Sequence, residues 1–208
     1  MTAPEPSPSP ARRGLQLSGL QLSGVTPGDH SALPALCALL QDAVAGGASL
    51  GFMAGMDEAE ARAYWLRVLG ALGPAQRLWL LRDETGALLG TVQLALCEKP
   101  NGRHRGEVQK LMVRRSARGR GLARVLLQAL EQAARALGCS LLVLDTEAGS
   151  HAETVYTHLG WLKAGEIPAF AANPDGSLQP TALYYKLLDE QLAAAVAAQA
   201  APARITLP

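Results

Sequence analysis

Apolar positions along the chain change period from two to three-and-four at Ser116, and the change separates a strand from a helix. Val108, Leu111, Met112 and Val113 form a short, partly β-branched run. A period of two would put Glu107 and Gln109 on the same face as Leu111 and Val113. Beyond Ser116, Leu122, Val125, Leu126, Ala129, Leu130, Ala133 and Leu137 make one stripe, with Arg124, Gln128, Glu131 and Arg135 opposite. This predicts an amphipathic helix stopped by Gly138, with Glu131 and Arg135 spaced for an i,i+4 pair.

The same patterning lays out the rest. Gly14-Leu15-Gln16-Leu17-Ser18 is repeated at once as Gly19-Leu20-Gln21-Leu22-Ser23, and the second copy, leading into Val25, is the expected edge strand. Leu33, Leu36, Cys37, Leu40 and Val44 predict a helix with Pro34 in its first turn and Gly46-Gly47 at its end. Asp57 is the expected N-cap of a second helix, with Glu60 three residues on and Ala61, Tyr64, Trp65, Val68, Leu69 and Leu72 buried. Strands over 78–82 and 88–97, joined through Asp83-Glu84-Thr85-Gly86, form a meander with the strand carrying Glu107. The central helix then crosses to a parallel strand over 141–147. Ser150 and Glu153 suggest a capping box for a helix carrying Tyr156. Strands over 161–167 and 181–188, separated by a loop over 168–180, close the sheet.

Composition narrows the class. At 208 residues, 49% of them hydrophobic, the chain suits one core: a flexible Pro/Ser-rich leader over 1–14, a single domain over 15–188, and an Ala-rich tail over 189–208. The apolar run over 191–201 is far shorter than the ~20 residues a membrane span needs. The leader lacks the apolar core of a signal peptide. Lys plus Arg number 19 against 18 Asp plus Glu, so overall charge gives no reason to expect nucleic acid as partner. Cys37, Cys97 and Cys139 are widely spaced, which fits free thiols in a reducing cytoplasm, and no His or Cys spacing suggests a metal.

Candidate chemistry sits at the strand-to-helix join, Arg118-Gly119-Arg120-Gly121-Leu122-Ala123. Glycines let a ligand approach the backbone, the first N–H groups of a helix lack partners, and Arg115, Arg118, Arg120 and Arg124 add positive potential. A pyrophosphate is the expected occupant. The P-loop pattern G-x-x-x-x-G-K-[ST] is absent, and a dinucleotide fingerprint would want Gly where Arg124 stands.

Arg118-x-x-Gly121-x-Ala123 resembles the acyl-CoA signature Q/R-x-x-G-x-G/A of the GCN5-related N-acetyltransferase (GNAT) superfamily. Ala152-x-x-x-Tyr156-x-x-Leu159-Gly160-Trp161 is similar to that family's second motif, A-x-x-x-Y-x-x-x-G-F. Within it, Val108 to Val113, Leu144 to Ser150, Gly165-Glu166-Ile167-Pro168 and Pro174-Asp175-Gly176 resemble the tabtoxin-resistance branch.

The resemblance implies an α+β (mixed α/β) fold: a largely antiparallel mixed sheet of about six or seven strands, its parallel central pair splayed, flanked by helices. It implies acetyl-CoA as donor, held by Leu111, Met112, Val113, Arg118, Gly119, Arg120, Gly121, Leu122, Ala123 and Arg124, without a metal. Backbone N–H groups near Met112 and Val113 would face the acetyl carbonyl. Tyr156 would protonate the departing thiolate. Glu107 and Asp145 are the candidates for base; together with Gln109 and Glu147 they could equally be rim groups that orient an ammonium while water relays the proton.

The implied acceptor is the primary amine of a small molecule, an amino-acid-like toxin or metabolite, and an acidic cleft would favour a cationic amine. The two N-terminal helices would flank its cleft, with the loop over 48–56 as wall or lid. Two other readings are a non-catalytic acyl-CoA sensor and a nucleic-acid-binding module using the Arg114–Arg124 cluster, the latter weakened by near-neutral overall charge. The apolar final strands could pair with a second copy as a homodimer.

Overall fold

The computed structural model describes residues 19–200. Within them seven strands form one sheet: β1 (Gln21–Gly24), β2 (Gln76–Arg82), β3 (Leu88–Leu96), β4 (Arg105–Val113), β5 (Leu141–Glu147), β6 (Leu162–Ala172) and β7 (Leu178–Leu187), in spatial order β1-β2-β3-β4-β5-β7-β6. Every neighbouring pair is antiparallel except β4 and β5. Five helices, α1 (Leu33–Ala45), α2 (Glu58–Ala71), α3 (Leu122–Ala136), α4 (His151–His158) and α5 (Glu190–Ala200), complete the mixed α+β architecture. The second GLQLS copy supplies β1, paired through Gln21↔Arg82; the first copy, the leader and residues 201–208 lie outside the described residues.

Two cores lie on opposite faces of the sheet. α1 and α2 bury Leu36, Leu39, Leu40, Trp65 and Leu69 against Leu78, Leu80, Leu88 and Met112. α3 and α4 bury Leu126, Leu127, Leu130 and Tyr156 against Leu81, Val92, Leu94, Val108 and Leu142. Each fully buried leucine contributes about 1.5–3 kcal/mol of hydrophobic free energy, which holds the helices at fixed positions over the strands.

Local chemistry sets the joints. Pro34 occupies the first turn of α1, which ends at Gly46 with Gly47 at φ +80°. Asp57 caps α2, its Oδ1 accepting from the Glu60 N–H at 2.7 Å. Asp83 Oδ1 closes the β2–β3 turn by accepting from the Thr85 and Ala87 N–H groups, each at 3.0 Å.

Four expectations change. Leu127 and Ala134 belong to the buried stripe of α3, whereas Leu137 is exposed. Glu131 therefore turns inward, and it bonds Lys186 on β7 at 2.9 Å instead of Arg135, whose Nε donates to the Leu188 carbonyl at 3.2 Å. Ser150 makes no side-chain cap; Glu153 reaches Gly149 N–H, Lys163 and the Tyr184 hydroxyl. Finally, β6 and β7 run well past the expected ends, leaving only a tight turn around Asn173–Gly176. Pro168 is tolerated inside β6 because this strand is the sheet edge, with a register irregularity between Ile167 and Ala171.

Candidate active site

The site starts from a break in β4. Its register with β3 shifts between Thr91↔Met112 and Gln93↔Gln109, so Lys110 and Leu111 together stand opposite Val92, and Lys110 takes φ +47°. This bulge reverses the facing of the strand end. Val108 packs in the α3 core while Met112, four residues on, packs in the α1/α2 core. Glu107 and Leu111 consequently lie on different faces, not the shared face that an unbroken period of two requires.

Beside the bulge the sheet opens. β4 and β5 pair only at Arg105↔Leu141, Gly106↔Leu142 and Glu107↔Val143. Past Glu107 the two strands diverge, and a cleft of about 580 Å³ occupies the gap. Its walls include the α1 C-terminus with residues 46–50, the start of α3, and α4.

At the α3 end, Arg115–Ala117 make one 3-10 turn before the glycines. Gly119 and Gly121 take φ +76° and +74°, and no Cβ at either would touch anything within 4 Å. Gly121 is the N-cap and supplies no side chain. The first helical bond runs from Val125 N–H to the Gly121 carbonyl at 3.4 Å, leaving the N–H groups of Leu122, Ala123 and Arg124 without a helical acceptor. Such a terminus favours an anion through both its N–H groups and its dipole.

The nominated residues divide cleanly. Leu111, Met112 and Val113 of β4 line the cleft, as do Arg118, Gly119, Gly121, Leu122, Ala123 and Arg124 at the α3 join, and Asp145, Glu147 and Tyr156 across from them. Glu107, Gln109 and Arg120 lie outside the lining. Gln109 Nε2 donates to Glu107 Oε1 at 2.8 Å, and Glu147 Oε1 accepts from Asn173 Nδ2 at 2.9 Å. The arginines have separate engagements: Arg114 Nε donates to the Leu88 carbonyl at 3.0 Å, Arg118 Nε to the Val113 carbonyl at 3.3 Å, and Arg115 is paired with Asp42.

Tyr156 is 7% exposed, packed edge-on against Trp161 at 5.9 Å, and its hydroxyl has no hydrogen-bond partner among the described residues. Burial, reinforced by the negative charge of Asp145, pushes its phenol well above the ordinary value. It therefore stays protonated throughout the physiological range, so in a proton transfer it can give a proton but cannot start as the base.

Several residues at this site escape sequence reasoning. Lys110 projects from the bulge, with Nζ 6.0 Å from the ring centroids of both Phe52 and Tyr64. Burial pulls its pKa down, against the opposing charges of Asp145 and Glu107. Gln93, buried in β3, donates to the Tyr64 hydroxyl at 3.0 Å. Asp42 accepts from both the backbone N–H and Nε of Arg115 at 2.8 Å, fastening α1 to the loop after β4. The Ala54 N–H donates to the Pro174 carbonyl at 2.8 Å, so the loop over 48–56 meets the β6–β7 turn. The one sign of the bulge in the sequence is a lysine interrupting an apolar strand.

Residues 51–161, just over half of the chain, match the family model "Acetyltransferase (GNAT) family", and the chain belongs to that family. Solved structures share the fold. An N-acetyltransferase from Staphylococcus aureus Mu50 superposes with TM-score 0.68 at 22% identity, over 83% of this chain and 100% of its own. A phosphinothricin acetyltransferase from Sinorhizobium meliloti, solved in complex with AcCoA, gives 0.66 at 21%, over 83% and 90%. A ribosomal-protein-alanine N-acetyltransferase from Brucella melitensis gives 0.66 at 23%, over 80% and 98%. Among the described residues no helix is long and apolar enough to cross a membrane, and no group of three His, Cys, Asp or Glu side chains is placed to hold a metal.

Proposed function

We propose that the protein transfers the acetyl group of acetyl-CoA to the primary amine of a small, amino-acid-like molecule. The observation that carries the donor assignment is the gap between β4 and β5, which ends at the uncapped N-terminus of α3. On the β5 side the stretch Leu111–Val113 has no strand partner, although Met112 and Val113 stay paired with Thr91 and Gly90 of β3, and main-chain groups that face the gap can bond the amides of a pantetheine arm. The pyrophosphate then meets Gly119, Gly121, Leu122 and Ala123, with Arg118 and Arg124 beside it and Arg120 contributing only positive potential from outside the lining.

The N–H groups near Met112 and Val113 stabilise the oxyanion as the amine attacks the thioester carbonyl directly. As the C–S bond of the tetrahedral intermediate breaks, Tyr156 gives its proton to the sulfur, a role supported by its place in the cleft and its unpartnered hydroxyl. Asp145, which lines the cleft, is the better-placed base; Glu107, bonded to Gln109 outside the lining, orients the acceptor through its charge. Glu147 lines the cleft and borders the acceptor on this reading, whereas Gln109 lies outside the lining and acts through Glu107. The likeness to a phosphinothricin acetyltransferase and the tabtoxin-resistance-like motifs support an amino-acid-like acceptor and a detoxifying role. Free Cys37, Cys97 and Cys139 suit a cytoplasmic enzyme, and exposed Leu162 and Phe170 on the β6 edge suit a homodimer.

Calorimetric titration with acetyl-CoA, CoA and ATP, followed by thiol-release assays on a panel of amines, tests this reading. Saturable acetyl-CoA binding, weaker ATP binding and turnover with small amines are expected. A folded protein that does not bind acetyl-CoA would end the assignment; binding without turnover on any amine would leave a sensor.

A further inference from the structure

We infer that Lys110 anchors a carboxylate on the acceptor, so that the preferred substrates carry an acid group beside the amine. This rests on the acetyltransferase reading and specifies its acceptor. Lys110 lines the cleft, yet it forms no ion pair or hydrogen bond among the described residues. Its Nζ instead lies over the rings of Phe52 and Tyr64, which meet edge to face at 5.2 Å. Asp145 and Glu107 influence it by charge but neither approaches within ion-pair distance.

A partly buried cation without a counter-ion is unfavourable, and a lysine at φ +47° adds backbone strain. Both features suit a group that waits for an anion brought in from outside. That anion is not the donor's pyrophosphate. Lys110 stands three residues before the end of β4, about 10 Å along the strand, and its side chain packs towards α2 and the loop over 48–56, whereas the uncapped helix end lies beyond Val113. An α-amino acid fits the charges present: its carboxylate meets Lys110, and its ammonium faces Asp145 across the same cleft. The cleft thus selects a zwitterion, where the acidic residues alone suggest a plain cationic amine.

The test uses the full chain at saturating acetyl-CoA, with each of the twenty L-amino acids paired against its α-carboxamide in a thiol-release assay. The amide's amine is the less basic and loses its proton more easily, so a preference for the acid cannot come from basicity. Wild type is expected to favour the acid in kcat/KM. Lys110→Met should lower the acid-to-amide ratio about 30-fold, mainly through KM, and Lys110→Arg should restore part of it. Circular dichroism melts verify that the variants fold.

Equal use of acid and amide by wild type overturns the inference. So does a Lys110→Met variant that loses kcat equally on both, which would make Lys110 a base. A protein that binds acetyl-CoA but neither acetylates nor, in calorimetry with CoA present, binds any of the amino acids also overturns it. Failure to bind acetyl-CoA removes the acetyltransferase reading itself, and the inference falls with it.

Discussion

Gly121→Ala separates backbone strain from ligand recognition, because the structure supplies a matched control. Gly121 and Gly138 sit at the two ends of α3 with φ +74° and +84°, and a Cβ at either would find nothing within 4 Å. Forcing an L-residue into this region costs about 1–2 kcal/mol, and the stiffer unfolded chain returns about 0.4–1 kcal/mol. Each alanine variant should therefore lose about 1 kcal/mol, a melting shift of about 2–4 °C for a chain of this size.

Their ligand behaviour should differ. At Gly121 the new methyl group intrudes where the free N–H groups of α3 open into the cleft, and at Gly138 it is remote. Weakening one charge-assisted hydrogen bond costs about 1.5–3 kcal/mol, or about 10- to 100-fold in affinity. Calorimetry should show that loss for Gly121→Ala and wild-type acetyl-CoA affinity for Gly138→Ala, at matched melting shifts. Equal affinity in both variants would refute the placement of the pyrophosphate at this helix end.

Three further perturbations probe the chemistry and its support. Tyr156→Phe should lower kcat about 100-fold or more while leaving the acetyl-CoA dissociation constant near wild type, read by steady-state assay and calorimetry. Burial alone would raise the Asp42 carboxyl, but hydrogen bonds from the Arg115 backbone and side chain hold it below its ordinary value. Its folded pKa is depressed, so the stabilisation is present above the unfolded value of about 3.9 and is lost as pH falls through the lower folded value. Asp42→Asn should cost about 0.5–1 kcal/mol at pH 7, since Arg115 is half exposed, and the gap to wild type should close as the pH falls below the depressed folded value in denaturation curves. Lys186→Met leaves Glu131, 5% exposed, without its partner and should destabilise by about 3 kcal/mol in urea unfolding, with much of that recovered in a Glu131→Leu, Lys186→Met double variant.

Helix and strand order was legible because it follows from local periodicity: α1 begins and ends where Pro34 and Gly46-Gly47 predict, and Asp57 caps α2. The glycine-rich, uncapped start of α3 was equally legible, since glycines and arginines stand directly before an amphipathic stripe. The surroundings of Lys110 were not. Lys110, Phe52 and Tyr64 come together only through tertiary contacts, as do Asn173 and Glu147, and the bulge that re-aims Lys110 leaves no periodic trace beyond a misplaced polar residue. Glu131 was misread for a similar reason. Helical spacing offered Arg135 as a partner, but the cross-sheet lysine at 186 is invisible to a one-dimensional pattern. The ends of β6 and β7 were missed because Pro168 signals a break everywhere except on an edge strand.

The three-residue contact between β4 and β5 has a bearing on how this protein can change over time. If the donor is gripped by main-chain atoms in the gap, the side chains of Leu111, Met112 and Val113 are constrained by the two cores and the shape of the cleft rather than by the donor's polar groups. Volume-conserving replacements there should leave the donor grip intact, so sequence can drift while the chemistry persists. On the proposed reading, acceptor choice would rest elsewhere, in the loop over 48–56, α2, the bulge and the β6–β7 turn, which can be rewritten separately. A fold held in common by proteins sharing only 21–23% of their residues is what such a division of labour allows.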